Sequence, residues 1–100
     1  KMSCLARYGG EEFICLLQGE IPASAAAVAE LIRSEVEKLR LPNVTAKAPC
    51  LTVSIGVATL LRGDPGALAL VECADNQLYE AKAGGRNRVC GAVLGPIQGA

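Results

Sequence analysis

The sequence predicts a small α/β sandwich, in which helices pack against a sheet. In two segments, 25–41 and 67–83, apolar residues recur at helical spacing. Between them, "CLTVSIGVATLL" at 50–61 is rich in β-branched residues and apolar at nearly every position, as expected for a strand covered on both faces. At 100 residues the chain has room for one core. The predicted order is strand, strand, helix, strand, helix, strand.

The first two strands are predicted to form a hairpin. Alternating residues at 4–8 and an apolar run at 13–17 flank Gly9 and Gly10, and glycines accept the backbone angles of tight hairpin turns. Glu11 and Glu12 follow at once. Because adjacent strand residues point to opposite faces, these two acids are expected to have different roles.

The acidic hairpin has two interpretations. A carboxylate beside the turn can ligate Mg²⁺ together with substrate phosphates, and two glycines allow a nucleotide to lie against the backbone. Alternatively, Glu11 and Glu12 are an exposed pair that discourages pairing at a sheet edge.

The first helix follows Pro22, with Ser24 as a possible cap. Its predicted apolar stripe is Val28, Leu31, Ile32, Val36 and Leu39. Its charged residues are predicted to form a solvated face, namely Glu30, Arg33, Glu37, Lys38 and Arg40.

The second helix has a predicted stripe of Leu68, Val71, Ala74, Leu78 and Ala81. Gly84 and Gly85 are expected to end it, and Gly56 in the preceding strand predicts a close backbone approach or a bulge. Lys82 and Arg86 could hold a triphosphate at this helix end, as a point charge and a fork. Alternatively, these cations only complement the helix dipole.

Composition excludes several function classes. Ten acids balance ten bases, which gives no bulk attraction to nucleic acid or to an anionic membrane. Five isolated cysteines and no histidine supply neither a zinc site nor a Cys/His nucleophile pair. No apolar run approaches the roughly 20 residues of a spanning helix. We expect a cytoplasmic fragment of a longer parent protein, in which a membrane anchor elsewhere is left open.

Three motifs in order closely resemble the second half of the GGDEF domain of bacterial diguanylate cyclases. They are "RYGGEEF", then "LTVSIGVA", then "ADNQLYEAKAGGRNRV", and the match runs from Leu5 to Val89. The resemblance implies a nucleotidyl cyclase or polymerase palm-like fold, with a ferredoxin-like central antiparallel sheet flanked by helices and with the domain's first strand and helices missing. It places the partial domain at 1–91 and a C-terminal tail at 92–100.

The family condenses two GTP molecules into cyclic di-GMP and pyrophosphate. The resemblance implies that Glu11 binds Mg²⁺, or alternatively Mn²⁺, and helps to deprotonate the attacking ribose hydroxyl. Glu12 matches the next acid of the catalytic motif. Gly9 and Gly10 would lie against the nucleotide. The family's phosphate-binding residues are matched by Lys82 and Arg86.

The resemblance also implies partners and regulation. Two domains must meet as a homodimer, under an attached sensory or regulatory domain, and further metal and guanine ligands of the family precede Lys1. We therefore expect the fragment alone to be inactive. Ser3 stands where many members carry the Asp of a product-inhibition site. The alternatives are a degenerate GGDEF domain that serves as a GTP-binding or regulatory module, and a plain α/β scaffold.

Overall fold

The computed structural model describes residues 2–9, 12–17, 21–42, 50–60 and 66–94. Its first two elements confirm the predicted hairpin. β1 (Met2–Gly9) pairs with β2 (Glu12–Leu17) in antiparallel register, with Leu5 opposite Cys15. Gly9 belongs to β1 and faces Glu12, so the paired region extends one residue further toward the turn than the sequence predicts. An irregularity between Arg7 and Gly9 interrupts the ladder just before this pair.

The second pair of strands is parallel. β3 (Ile55–Leu60) lies beside β4 (Val89–Leu94), from Ile55 opposite Val89 to Leu60 opposite Leu94. The expected ferredoxin-like central antiparallel sheet is therefore not confirmed: the described antiparallel pair is the hairpin, in a separate two-stranded sheet. The physical reason is the connection between the strands. A helix between β3 and β4 returns the chain to the end of the sheet where β3 began, so β4 runs in the same direction as β3.

The strand predicted at 50–61 is shorter in the structure. Residues 51–54 precede β3 without strand pairing, and Cys50 forms an isolated bridge with Pro42. Within β3 the side chains are mostly half-buried, Thr59 is buried and Leu60 is exposed. The expected cover on both faces is thus incomplete among the described residues.

The first helix, α1 (Pro22–Lys38), begins three residues earlier than a cap at Ser24 would allow. Proline suits the first helical turn because its missing N–H has no partner there. The buried side chains are Ala25 and Ala29. Leu31 and Leu39, placed in the predicted stripe, are 59% and 63% exposed. The stripe prediction was wrong here, since the helix packs through its small residues and so lies close to its neighbours.

The second helix, α2 (Ala67–Ala83), buries Ala81 completely and leaves Leu68, from its predicted stripe, exposed. Both helices contact β3 and β4. The close approach predicted at Gly56 is confirmed, because a Cβ there would collide with the α2 backbone at Ala74 and Leu78. Among the described residues, no helix is long and apolar enough to cross a membrane.

Candidate functional site

The candidate site begins where α2 ends. Gly84 caps the helix, and Gly85 has a φ of 123°, which side-chain-bearing residues rarely adopt. The Gly85 N–H donates to the Lys82 carbonyl at 3.3 Å, and the Arg86 N–H donates to the Ala81 carbonyl at 2.9 Å. These two bonds form a Schellman motif, which satisfies carbonyls that a helix end leaves without partners. The prediction that the two glycines end α2 is confirmed.

The left-handed backbone continues past the glycines. Arg86 and Asn87 have φ values of 65° and 48°. Side-chain-bearing residues adopt this conformation at a free-energy cost, which is smallest for asparagine and aspartate. The turn therefore needs external contacts to hold it, and Arg86 is exposed at its centre.

Asn87 supplies those contacts. Its Oδ1 accepts from Arg33 Nη1 at 2.8 Å, and its Nδ2 donates to Glu37 Oε2 at 2.8 Å. Its backbone N–H donates to Ser54 Oγ at 3.1 Å. One residue thus ties the turn to α1 and to the segment before β3. We call Arg33, Glu37, Asn87 and Ser54 the turn clamp.

Arg33 is the centre of charge in the turn clamp. Its guanidinium donates two bonds to Glu30, at 2.8 and 2.6 Å, and one to Glu37 at 3.1 Å. Its side chain is only 15% exposed. The hydrogen bonds that Arg33 donates to Glu30 and then to Glu37 raise the pKa of Arg33 further above its already high value.

The two acids respond in the opposite direction. The bond from Arg33 holds the pKa of Glu30 below its usual range. The pKa of Glu37 is lowered first by the bond from Asn87 and then by the bond from Arg33. All three groups are therefore charged at neutral pH, and the charges favour the observed geometry.

The first 88 residues match a family model described as the GGDEF domain of diguanylate cyclases. The chain belongs to the GGDEF family. It is 46% identical over 84 residues to diguanylate cyclase A of Treponema denticola, with 84% of this chain and 22% of that protein covered.

Two relatives from Escherichia coli K12 are similar to a comparable degree. Diguanylate cyclase DosC is 43% identical over 83% of this chain and 18% of its own length. Diguanylate cyclase DgcM is 42% identical over 86% of this chain and 20% of its own length. The chain thus spans about a fifth of the length of these relatives.

The structure brings together some of the site residues that the GGDEF resemblance predicts. Lys82, in the last turn of α2, and Arg86 lie within the same helix ending. Gly9 and Glu12 face each other across the hairpin. Gly10 and Glu11 lie outside the described residues, as does the side chain of Glu12. The described elements show no extensive contact between the hairpin and α2. The hairpin half and the α2 half of the predicted site are therefore described separately.

The predicted metal ligand, Glu11, belongs to the hairpin segment of the sequence. Among the described residues, no group of three or more His, Cys, Asp or Glu side chains could hold a metal ion. Because Glu11 is not among them, the Mg²⁺ site stays a prediction of the GGDEF resemblance.

The turn clamp was not predicted from the sequence. Arg33 and Glu37 were expected on a solvated face, yet both hydrogen-bond to Asn87, which is 54 and 50 residues away. The signal in the sequence is the spacing of Glu30, Arg33 and Glu37, which places a cation between two acids on one side of a helix. Nothing in that spacing identifies the distant partner.

Proposed function

We propose that the whole protein is a diguanylate cyclase that condenses two GTP molecules into cyclic di-GMP and pyrophosphate. The observation that carries this is the position of Lys82 and Arg86 at the end of α2, where two glycines stop the helix, in a chain of the GGDEF family. Relatives at 42 to 46% identity that are named diguanylate cyclases support the same activity.

Each residue has a proposed part. Lys82 offers a compact ammonium and Arg86 a planar fork, and together they would neutralise the charge on the triphosphate of one GTP. Gly9 and Gly10 would let the nucleotide approach the backbone. Glu11 and Glu12 would hold and orient the reacting groups, with Glu11 as the metal ligand. Mg²⁺, when bound, would stabilise charge on the phosphates as a Lewis acid.

The reaction joins two nucleotides, so the proposal includes a homodimer in which each domain presents one GTP to the other. The chain covers about a fifth of its relatives, which supports a regulatory or sensory domain in the rest of the whole protein. We place this domain in the cytoplasm, at residues 1–91, with 92–100 as a tail.

The test is to incubate the whole protein with GTP and Mg²⁺ and to measure cyclic di-GMP by chromatography. Glu11→Ala should abolish the product. Glu35→Ala is the matched control, because Glu35 is exposed on α1 and pairs only with Lys38 at 3.4 Å among the described residues.

The outcomes separate the alternatives. Product that is lost only in Glu11→Ala supports the cyclase. A folded dimer that binds GTP and makes no product would instead identify a degenerate, regulatory GGDEF module. Unchanged product in Glu11→Ala would contradict the role of Glu11. The 100-residue chain by itself is expected to make none, since the resemblance assigns it only some of the ligands.

A further inference from the structure

The turn that carries Arg86 is held in an unfavourable conformation. Gly85, Arg86 and Asn87 are three consecutive residues with positive φ, of 123°, 65° and 48°. Such conformations persist in residues with side chains when the surroundings over-determine them. The contacts around Arg86 must therefore supply a constraint that its own backbone preference does not.

The backbone is fixed on both sides of Arg86. On one side, the Arg86 N–H is bonded to the Ala81 carbonyl at 2.9 Å. On the other, Asn87 uses its side-chain acceptor, its side-chain donor and its backbone N–H at once, toward Arg33, Glu37 and Ser54. The Arg86 carbonyl also accepts from Arg88 Nε at 3.1 Å.

The far end of this network is itself hydrogen-bonded within α1. Two bonds from Arg33 to Glu30 orient the guanidinium in its plane, so that Nη1 is presented to Asn87 and Glu37. A bidentate pair of this kind fixes both distance and direction. α1 thus supplies an oriented hydrogen-bonding partner for the turn.

We infer that Asn87 and Arg33 are positioning residues, which hold the backbone of Arg86 so that its guanidinium is presented to the triphosphate of GTP. This inference rests on the proposed function. The exposed Arg86 side chain has many rotamers, and a fixed backbone limits the directions that they can reach. A preorganised cation binds phosphate more tightly because less ordering is required on binding.

The kinetic test uses Asn87→Gly in the whole protein. Glycine accepts positive φ, so the variant removes the amide contacts without adding backbone strain. We expect KM for GTP to rise by about tenfold, the effect of one lost charge-assisted contact, while kcat changes little. In an Arg86→Gln background the same substitution should add nothing, since the two residues act through one contact. Full additivity in this cycle would overturn the inference.

A second measurement needs no nucleotide. Glu37→Gln leaves one side-chain oxygen, whereas the glutamate uses two, one to accept from Arg33 and one to accept from Asn87. The control is Glu35→Gln, which changes a carboxylate that pairs only with Lys38 among the described residues. We expect hydrogen exchange at the Arg86 and Asn87 amides to quicken by about tenfold in Glu37→Gln. Glu35→Gln should leave both rates unchanged.

The two measurements keep the proposals apart. Unchanged exchange in Glu37→Gln would overturn the turn clamp, whatever the activity. If exchange is faster in Glu37→Gln but the wild-type protein binds no GTP, the proposed function is refuted, and with it the presentation of Arg86 to phosphate. Faster exchange together with a non-additive KM effect supports both.

Discussion

Gly56 and Ala74 meet backbone to backbone: a Cβ atom on Gly56 would overlap the carbonyl oxygen of Ala74. This contact joins β3 to the middle of α2, and it sets how closely the helix approaches the sheet. Both groups are main-chain atoms, so neither can move aside as a side chain would. The position can therefore accept only glycine unless the helix shifts.

Gly56→Ala should accordingly destabilise the protein by about 1–3 kcal/mol, the usual result of forcing atoms into a packed contact. Gly91→Ala, in the neighbouring strand, is the matched control. Its Cβ would lie 3.5 Å from both Cβ and the carbonyl oxygen of Val57, an ordinary contact distance. Urea unfolding should show the difference. Equal effects at the two glycines would contradict the close contact between β3 and α2.

Gly85→Ala tests the end of α2. Because Gly85 has a φ of 123°, which residues with a side chain rarely adopt, we expect a loss of about 1–3 kcal/mol in the free energy of unfolding. Gly84→Ala should cost less, because Gly84 has a helical φ of −78°. Its new Cβ would lie 3.0 Å from Arg88 Nη1 and 3.2 Å from the Glu80 carbonyl oxygen, so neither contact is shorter than 3.0 Å. Thermal unfolding of both variants gives the comparison, and a larger loss at Gly84 would count against the Schellman ending.

Acid should weaken the turn clamp. The pKa of Glu37 is lowered in the folded protein by Asn87 and Arg33, and that of Glu30 is lowered by Arg33. A carboxylate with a lowered folded pKa stabilises fully above its unfolded pKa, about 4.3 for glutamate, and this contribution disappears as the pH falls through the folded value. Stability should therefore decline below about pH 5.

The measurement is urea unfolding from pH 7 down to acid, in wild type, Glu37→Gln and Glu35→Gln. Removing the Glu37 carboxylate should flatten the acid limb of the stability curve. Glu35→Gln should leave the slope as in wild type. A slope that does not respond to Glu37→Gln would argue against a charged partner for Asn87.

Arg86→Gln should weaken GTP binding and leave the fold intact. The chain offers a close control in Arg40, which is also exposed and has a positive φ, of 56°, just beyond α1. In the whole protein, Arg86→Gln should raise KM for GTP by about tenfold, as for the loss of a charge-assisted bond to phosphate. Arg40→Gln should leave KM unchanged. Similar KM values for the two variants would remove Arg86 from the site.

Much of the fold could be predicted from local patterns. The hairpin followed from two glycines between apolar runs, and the end of α2 followed from Gly84 and Gly85. Gly56 indicated a close backbone approach or a bulge, because glycine weakens a strand interior and often marks such a site. In each case the deciding interaction lies within a few residues of the signal, or depends on the absence of a side chain.

Other features depend on distant partners and could not be predicted. The packed side of α1 is formed by Ala25 and Ala29, while the larger Leu31 and Leu39 remain exposed, because backbone proximity to the sheet selects small residues. The parallel pairing of β3 with β4 depends on how α2 returns the chain. The bond between Asn87 and Arg33 joins residues that are 54 positions apart in the sequence, so no local pattern indicates it.

The uniform pairing of β3 with β4 makes the length of the chain between them matter. Every paired position, from Ile55 with Val89 to Leu60 with Leu94, has the same separation along the sequence. A single residue inserted between Gly84 and Arg88 would break that spacing. Because strand side chains alternate, β4 would then either slip by one position, exchanging its inward and outward residues, or lose its link to α1 through Asn87. The length of the short turn therefore sets the register of β4. We expect an insertion there to destabilise the protein, although an ordinary surface loop would tolerate it.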